Sequence, residues 1–178
     1  MTAKEALEIM LKAYRRYYDI NEETPLEPFA AQAFFHSHES GYFLVKKAVT
    51  SEAESNEHVY FYTSEHITRQ DVERLAGLSW EDGISKTVPH QFHRNTDVSL
   101  ILIGESFDED AFEAVKKLKF YKSYKFRFQG WSDFRCGALD LAKKAYSCNR
   151  RGSDYKKTFK TFLKNLQPRE EKPDAARI

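Results

Sequence analysis

Residues 121–152 read YKSYKFRFQGWSDFRCGALDLAKKAYSCNRRG, and this stretch decides the fold class. Tyr124, Phe126 and Phe128 alternate with Lys125, Arg127 and Gln129, a period of two that predicts a half-buried strand. Gly130-Trp131-Ser132-Asp133 breaks the alternation and predicts a turn. Phe134 to Leu141 reads as the returning strand. Its apolar side switches near Gly137, which predicts a bulge or burial on both faces. A short third strand over 145–149 ends in the turn-forming run Asn149-Arg150-Arg151-Gly152. The stretch is thus expected to form a three-stranded antiparallel meander.

Beyond the meander, Ser153 is the expected cap of a last helix. Its stripe is Tyr155, Phe159, Phe162, Leu163 and Leu166, with Lys156, Lys157, Lys160 and Lys164 off it. Residues 167–178, with two prolines, are expected to be a mobile tail. Before the meander, Asp108 caps a helix through Phe112, Val115 and Leu118. Val98 to Ile103 is the most apolar run and predicts a central buried strand. Thr68 to Asp71 opens a helix with Val72, Leu75, Ala76 and Trp80 on its apolar side. With a strand over 58–64, these elements predict a right-handed parallel crossover. Further upstream lie strands over 31–38 and 42–50, then a polar turn over 51–57. Thr2 and Glu5 form a capping box for a first helix reaching about Tyr18. The sum is one α+β domain over 1–166: a mixed β-sheet of about six or seven strands, with a C-terminal antiparallel meander and about four helices packed on it.

The chain has 178 residues, enough for a core without disulfides or metal, and its 14 Phe and 10 Tyr make that core aromatic. The first residues lack an apolar leader, and no run approaches the ~18–20 apolar residues of a membrane span. A cytoplasmic protein with no membrane partner is the expectation, with Cys136 and Cys148 as reduced, buried thiols. There is no glycine-rich phosphate loop, no GxSxG and no HExxH, so the classes those motifs define find no support. The sequence points to no cofactor.

Net charge is +1, but it is split along the chain. Residues 1–118 hold 12 Lys+Arg against 21 Asp+Glu, whereas residues 119–164 hold 13 against 3. The basic segment predicts an anionic partner, nucleic acid or an acidic protein surface. Its contact residues would be Lys125, Arg127, Arg135, Arg150 and Arg151, with Trp131 to stack on bases. The plain alternative is that folding interleaves acidic and basic segments on one surface. An enzyme reading rests on His36 and His38, two apart on a strand and therefore on one side, with Glu39 adjacent and His90 and His93 to complete a metal site. That reading is a metal-dependent phosphodiesterase or nuclease. Glu105, Asp133 and Asp140 are acids at strand ends or turns. A third reading is a structural or regulatory domain that binds a protein through exposed aromatics.

Two resemblances add to this. The order helix, three strands, helix, strand resembles the restriction-endonuclease-like core. That family needs an Asp/Glu-x-Lys on the third strand, and here Glu65-His66-Ile67 lacks the lysine, which leaves nuclease activity in doubt. Gly130-Trp131-Ser132-Asp133-Phe134, with Asn149-Arg150-x-Gly152 and Tyr42-Phe-Leu-x-Lys46-Lys47, resembles an uncharacterised family of proteins from anaerobic Gram-positive bacteria. That resemblance covers nearly the whole chain and implies a bacterial, cytoplasmic protein without an assigned activity.

Overall fold

The computed structural model describes residues 1–42 and 49–166; over 38–42 and 49–52 the backbone alone is described. In chain order the elements are α1 (Ala3–Tyr14), β1 (Asp19–Asn21), β2 (Ala31–Tyr42), β3 (Val49–Ile67), α2 (Arg69–Lys86), β4 (His93–Phe107), α3 (Glu109–Lys117), β5 (Tyr121–Ser123), β6 (Trp131–Asp140), β7 (Ala145–Cys148) and α4 (Tyr155–Asn165). Seven strands make one mixed sheet in the order β1-β2-β3-β4-β6, with β5 and β7 sharing the outer edge of β6. The expected α+β class and the parallel crossover from β3 through α2 to β4 are present. β5 and β7 each pair antiparallel with β6, but along the same edge, because β4 takes the whole of the other one; the expected meander, with β6 in the middle, is corrected. No described helix is long and apolar enough to cross a membrane. Residues 43–48 and 167–178, which include Lys46, Lys47 and the expected tail, lie outside the described residues.

Register sorts the side chains into two faces. Phe61, Ile101 and Gly137 form one cross-strand row, and Thr63, Ile103 and Leu139 the next. Those on the apolar side of this face pack with Leu7, Met10 and Leu11 of α1 and Phe159 and Phe162 of α4. The alternate residues Tyr60, Val98, Leu100, Phe134 and Cys136 pack on the other face with Val72 and Leu75 of α2 and Val115 of α3. Strand β6 is thus buried on both sides, one of the two outcomes expected near Gly137. A Cβ at Gly137 would lie 2.7 Å from the Phe159 ring, so glycine there lets α4 approach the sheet. Cys136 and Cys148 are free thiols and sit in opposite clusters, one on each face.

Local signals explain most helix starts. Thr2 with Glu5 and Thr68 with Asp71 both form reciprocal capping boxes, each worth about 1 kcal/mol. Asp108 and Asp154 precede α3 and α4 without any side-chain cap bond. Asp108 is drawn to His66 at 3.0 Å, and Asp154 to the Arg135 guanidinium. Asp108 thus holds the expected N-cap position of α3 without a side-chain cap bond, and the N-cap of α4 is Asp154 rather than the expected Ser153.

Three strand expectations are also corrected. Residues 51–57 are not a turn but part of β3, held by ladders to β2 and, from Glu54, to β4. Pairing on both sides outweighs the polar content of that segment. Strand β4 begins at His93 rather than at Val98. The alternating run 124–129 is not a strand. β6 starts at Trp131, so β5 finds partners only over Tyr121–Ser123, and residues 124–130 must close the hairpin. Lys125, Phe126 and Arg127 take φ values of 45, 52 and 74°, a left-handed turn that costs about 1–2 kcal/mol per residue. Phe126 and Phe128 stand 94% and 83% exposed instead of facing a core. Gly130, at φ 77°, closes the turn where a Cβ would lie 2.3 Å from the Arg94 carbonyl oxygen.

Candidate functional site

Glu57 on β3, Asp97 on β4 and Asp133 on β6 are register partners, a row of three carboxylates across parallel strands. The next row is Val59, Ser99 and Arg135. Both rows face the α1/α4 side, at the end of the sheet where the apolar layer stops. Three acids on adjacent strands require nearby cations or hydrogen-bond donors.

The inner end of the row meets that need with its own partners. Glu57 Oε1 accepts from Ser99 Oγ at 2.5 Å, Arg135 Nη1 at 3.1 Å and Tyr155 Oη at 3.2 Å; Oε2 accepts from Tyr18 Oη at 2.5 Å. Burial, then the Glu57 charge, raises the Tyr18 and Tyr155 hydroxyls far above the ordinary phenol range, so both remain donors. Arg135 pairs with Glu57 and Asp154, lies 3.6 Å from Asp97, and has its guanidinium 4.9 Å from the centre of the Tyr155 ring. Against the cost of burial, those neighbours raise it further, so it is permanently charged. The Arg135 side chain is 14% exposed, and Glu57 and Asp154 already engage its guanidinium.

The outer end is open. Asp97, Asp133, Arg135, Arg151 and Asp154 line a pocket of about 260 Å³. Burial raises the Asp97 carboxyl to about 6; Arg135 opposes that rise, and Glu57 and Asp133 add to it. Asp133 and Arg151, paired at 3.2 Å, also line a second and larger cleft of about 330 Å³. Its other walls are Lys116, Lys117, Lys119, Phe120, Tyr121 and Arg150.

That cleft is built by segments far apart in sequence. Lys116 and Lys117 end α3, where cations complement the negative end of the helix dipole. The chain then turns outward through Lys119 to β5, with Phe120 packed 5.0 Å from Phe134. Arg150 and Arg151 come from the turn after β7. Asn149 holds both walls. Its Oδ1 accepts from the Cys136 and Gly152 amides at 2.9 and 2.8 Å, and its Nδ2 donates to the Leu118 and Phe134 carbonyls at 3.1 and 2.9 Å. The amide fills the gap on the edge of β6 between the part paired with β5 and the part paired with β7. All its hydrogen-bonding capacity is used at a fully buried site, which fixes the basic turn rigidly.

Of the residues expected to hold an anion, Arg150 and Arg151 meet in this cleft, and Arg135 lies inside the carboxylate network. Lys125 and Arg127 sit on the left-handed hairpin turn, where Arg127 covers the Trp131 ring at 4.8 Å. Lys116, Lys117 and Lys119 were not singled out from sequence, although Lys-Lys-Leu-Lys stands at the edge of the basic segment. Glu57 was hidden in the presumed polar turn, and Asp97 stands just before the run 98–103 that was expected to be the central strand.

The histidines engage separate partners, although the His90 and His93 rings lie 6.2 Å apart. His36 Nδ1 bonds Asn56 at 2.5 Å, His90 pairs with Glu54 at 2.8 Å, and His93 is held between the Gln129 carbonyl and Thr96. The His38 side chain lies outside the described residues. Among those residues, no three His, Cys, Asp or Glu are arranged to hold a metal ion. Glu105 accepts from the Ala3 amide at the start of α1, and Asp140 from the Lys143 amide in the β6–β7 turn.

Residues 2–161 match the family model described as Domain of unknown function (DUF8052). No curated protein and no solved structure matches the chain.

Proposed function

The chain belongs to this family, and since its description assigns no activity, we propose from the geometry that the domain binds a phosphate-bearing polyanion in the basic cleft. One observation carries this reading: Lys116, Lys117, Lys119, Arg150 and Arg151 line one cleft although they come from two distant segments. Lys116 and Arg151 have acidic partners, Glu113 and Asp133. Lys119 and Arg150 make no ion pair among the described residues, so an incoming anion competes with no described carboxylate for them. A concave site with low-dielectric walls concentrates their field. Phe120 and Tyr121 add an aromatic wall. The cytoplasmic location and the nucleic-acid or acidic-protein partner expected from composition fit this reading.

The test is a titration of labelled oligonucleotides and of inorganic polyphosphate, at low and at physiological salt. Binding should weaken steeply with salt, and Lys119→Glu/Arg150→Glu should lower affinity at least tenfold and reduce the salt slope by about 2. Lys160→Glu, on the exposed side of α4, should change little. Absence of polyanion binding at low salt would end this reading.

A second reading, acid–base chemistry on the bound anion, has one observation behind it. Burial pushes the Asp97 carboxyl up to about 6, in a pocket that shares Asp133 and Arg151 with the cleft. Hydrolysis of a phosphodiester reporter that Asp97→Asn abolishes would favour an enzyme, whereas no turnover with or without added divalent cations would leave a binding domain.

A further inference from the structure

We propose that the turn at 124–131 is a base-stacking platform, and that the polyanion is therefore a single-stranded nucleic acid. This rests on the anion-binding reading of the cleft and adds the chemical class of the ligand. Phe126 and Phe128 are 94% and 83% exposed, at the tip of a hairpin whose backbone is left-handed at three consecutive non-glycine residues. A turn with that geometry holds its side chains outward only because its surroundings fix it. Tyr124 NH donates to the Gly130 carbonyl at 3.0 Å, and Gln129 NH to the Tyr124 carbonyl at 3.2 Å. The Tyr124 hydroxyl bonds Ser132 at 3.0 Å, and His93 Nδ1 donates to the Gln129 carbonyl at 2.7 Å. The two rings are presented on a rigid support, which lowers the entropy lost when a flat ligand settles on them.

The platform follows the cleft wall along the chain. Tyr121, 45% exposed, is a cleft wall and the first residue of β5. β5 is an exposed edge of three residues that leads straight into the turn. Lys122 lies over the Tyr124 ring at 5.5 Å, and Lys125 and Arg127 flank Phe126. Aromatic faces beside a cationic groove are what an unpaired strand uses, phosphates in the groove and bases on the rings. Duplex bases are stacked on one another and offer no free face. An anionic membrane would also suit exposed phenylalanines and lysines, but it is flat, and the cations here line a concavity.

The experiment is fluorescence anisotropy on the full chain with a labelled oligothymidylate of about twelve nucleotides, an abasic strand of equal length, a duplex, and vesicles rich in phosphatidylserine. The oligothymidylate should bind about tenfold or more tightly than the abasic strand. Phe126→Ala/Phe128→Ala should erase that difference and leave abasic affinity unchanged, with the melting temperature unaltered because both rings are exposed. Lys119→Glu/Arg150→Glu should weaken both strands together. Equal binding of abasic and base-bearing strands, or a preference that survives the double alanine variant, overturns the platform and leaves the cleft standing. Tighter binding to duplex overturns it too. Phenylalanine-dependent binding to vesicles with none to oligothymidylate replaces it with a membrane contact. No binding to any polyanion overturns both the platform and the reading it rests on.

Discussion

Asp133 Oδ1 lies 3.2 Å from Arg151 Nε, while Asp133 Oδ2 accepts from the Trp131 indole at 3.1 Å. One carboxylate thereby ties Trp131, in the Gly130 to Phe134 motif, to Arg151, in the Asn149 to Gly152 motif. It also stands between the two clefts and balances one of the five cations. Removing its charge should release Arg151 and lift an opposing field. Asp133→Asn, which keeps an acceptor for the indole, should raise polyanion affinity about three- to tenfold at low salt. Unchanged or weaker binding would show that Arg151 does not reach the ligand.

Asn149 connects both cleft walls to β6. Asn149→Ala leaves the Cys136 and Gly152 amides and the Leu118 and Phe134 carbonyls without their partner. The expected loss is about 2–3 kcal/mol in urea unfolding, with faster amide exchange at Cys136 and Gly152. Wild-type exchange at those two amides would contradict this role.

Asp97 makes stability depend on pH with an unusual sign. Its carboxyl titrates at about 6 in the folded chain, chiefly through burial, against 3.8 in the unfolded chain. Between those values the folded state holds the extra proton, so stability falls as pH rises from about 4 to about 6 and stays lower above. Asp97→Asn removes this slope. Relative to the natural chain it should gain up to about 3 kcal/mol between pH 4 and pH 7, read from urea midpoints. A constant difference across that range would mean that Asp97 is ordinary.

His58 works in the opposite direction. Burial, then the nearby Lys86 charge, depresses its imidazole from 6.5 to about 4, and the ring stacks on Phe34 at 4.8 Å. Its contribution is complete above about pH 6.5 and is lost as pH falls towards 4, because the unfolded chain then takes the proton first. In a proton NMR titration the His58 ring signal should move with a midpoint near 4. A midpoint near 6.5 would show a solvated ring.

The sequence by itself determined the elements that depend on neighbours along the chain. The capping boxes at Thr2 and Thr68, the apolar stripe of α4, the buried run 98–103 and the short strand after β6 all follow from local spacing, which sterics along the chain impose. It also flagged the basic segment. The tertiary structure decided everything that depends on register and closure. The row of Glu57, Asp97 and Asp133 exists because three strands align across tens of residues of sequence, and no local period encodes that alignment. The alternation at 124–129 looked like a strand, but β6 begins too late to pair with it, so its phenylalanines turned outward. Arg135 looked like a surface cation until burial beside Glu57 claimed it. Lys119 and Arg150 meet because Asn149 ties Leu118 to the turn after β7, a contact between segments about thirty residues apart.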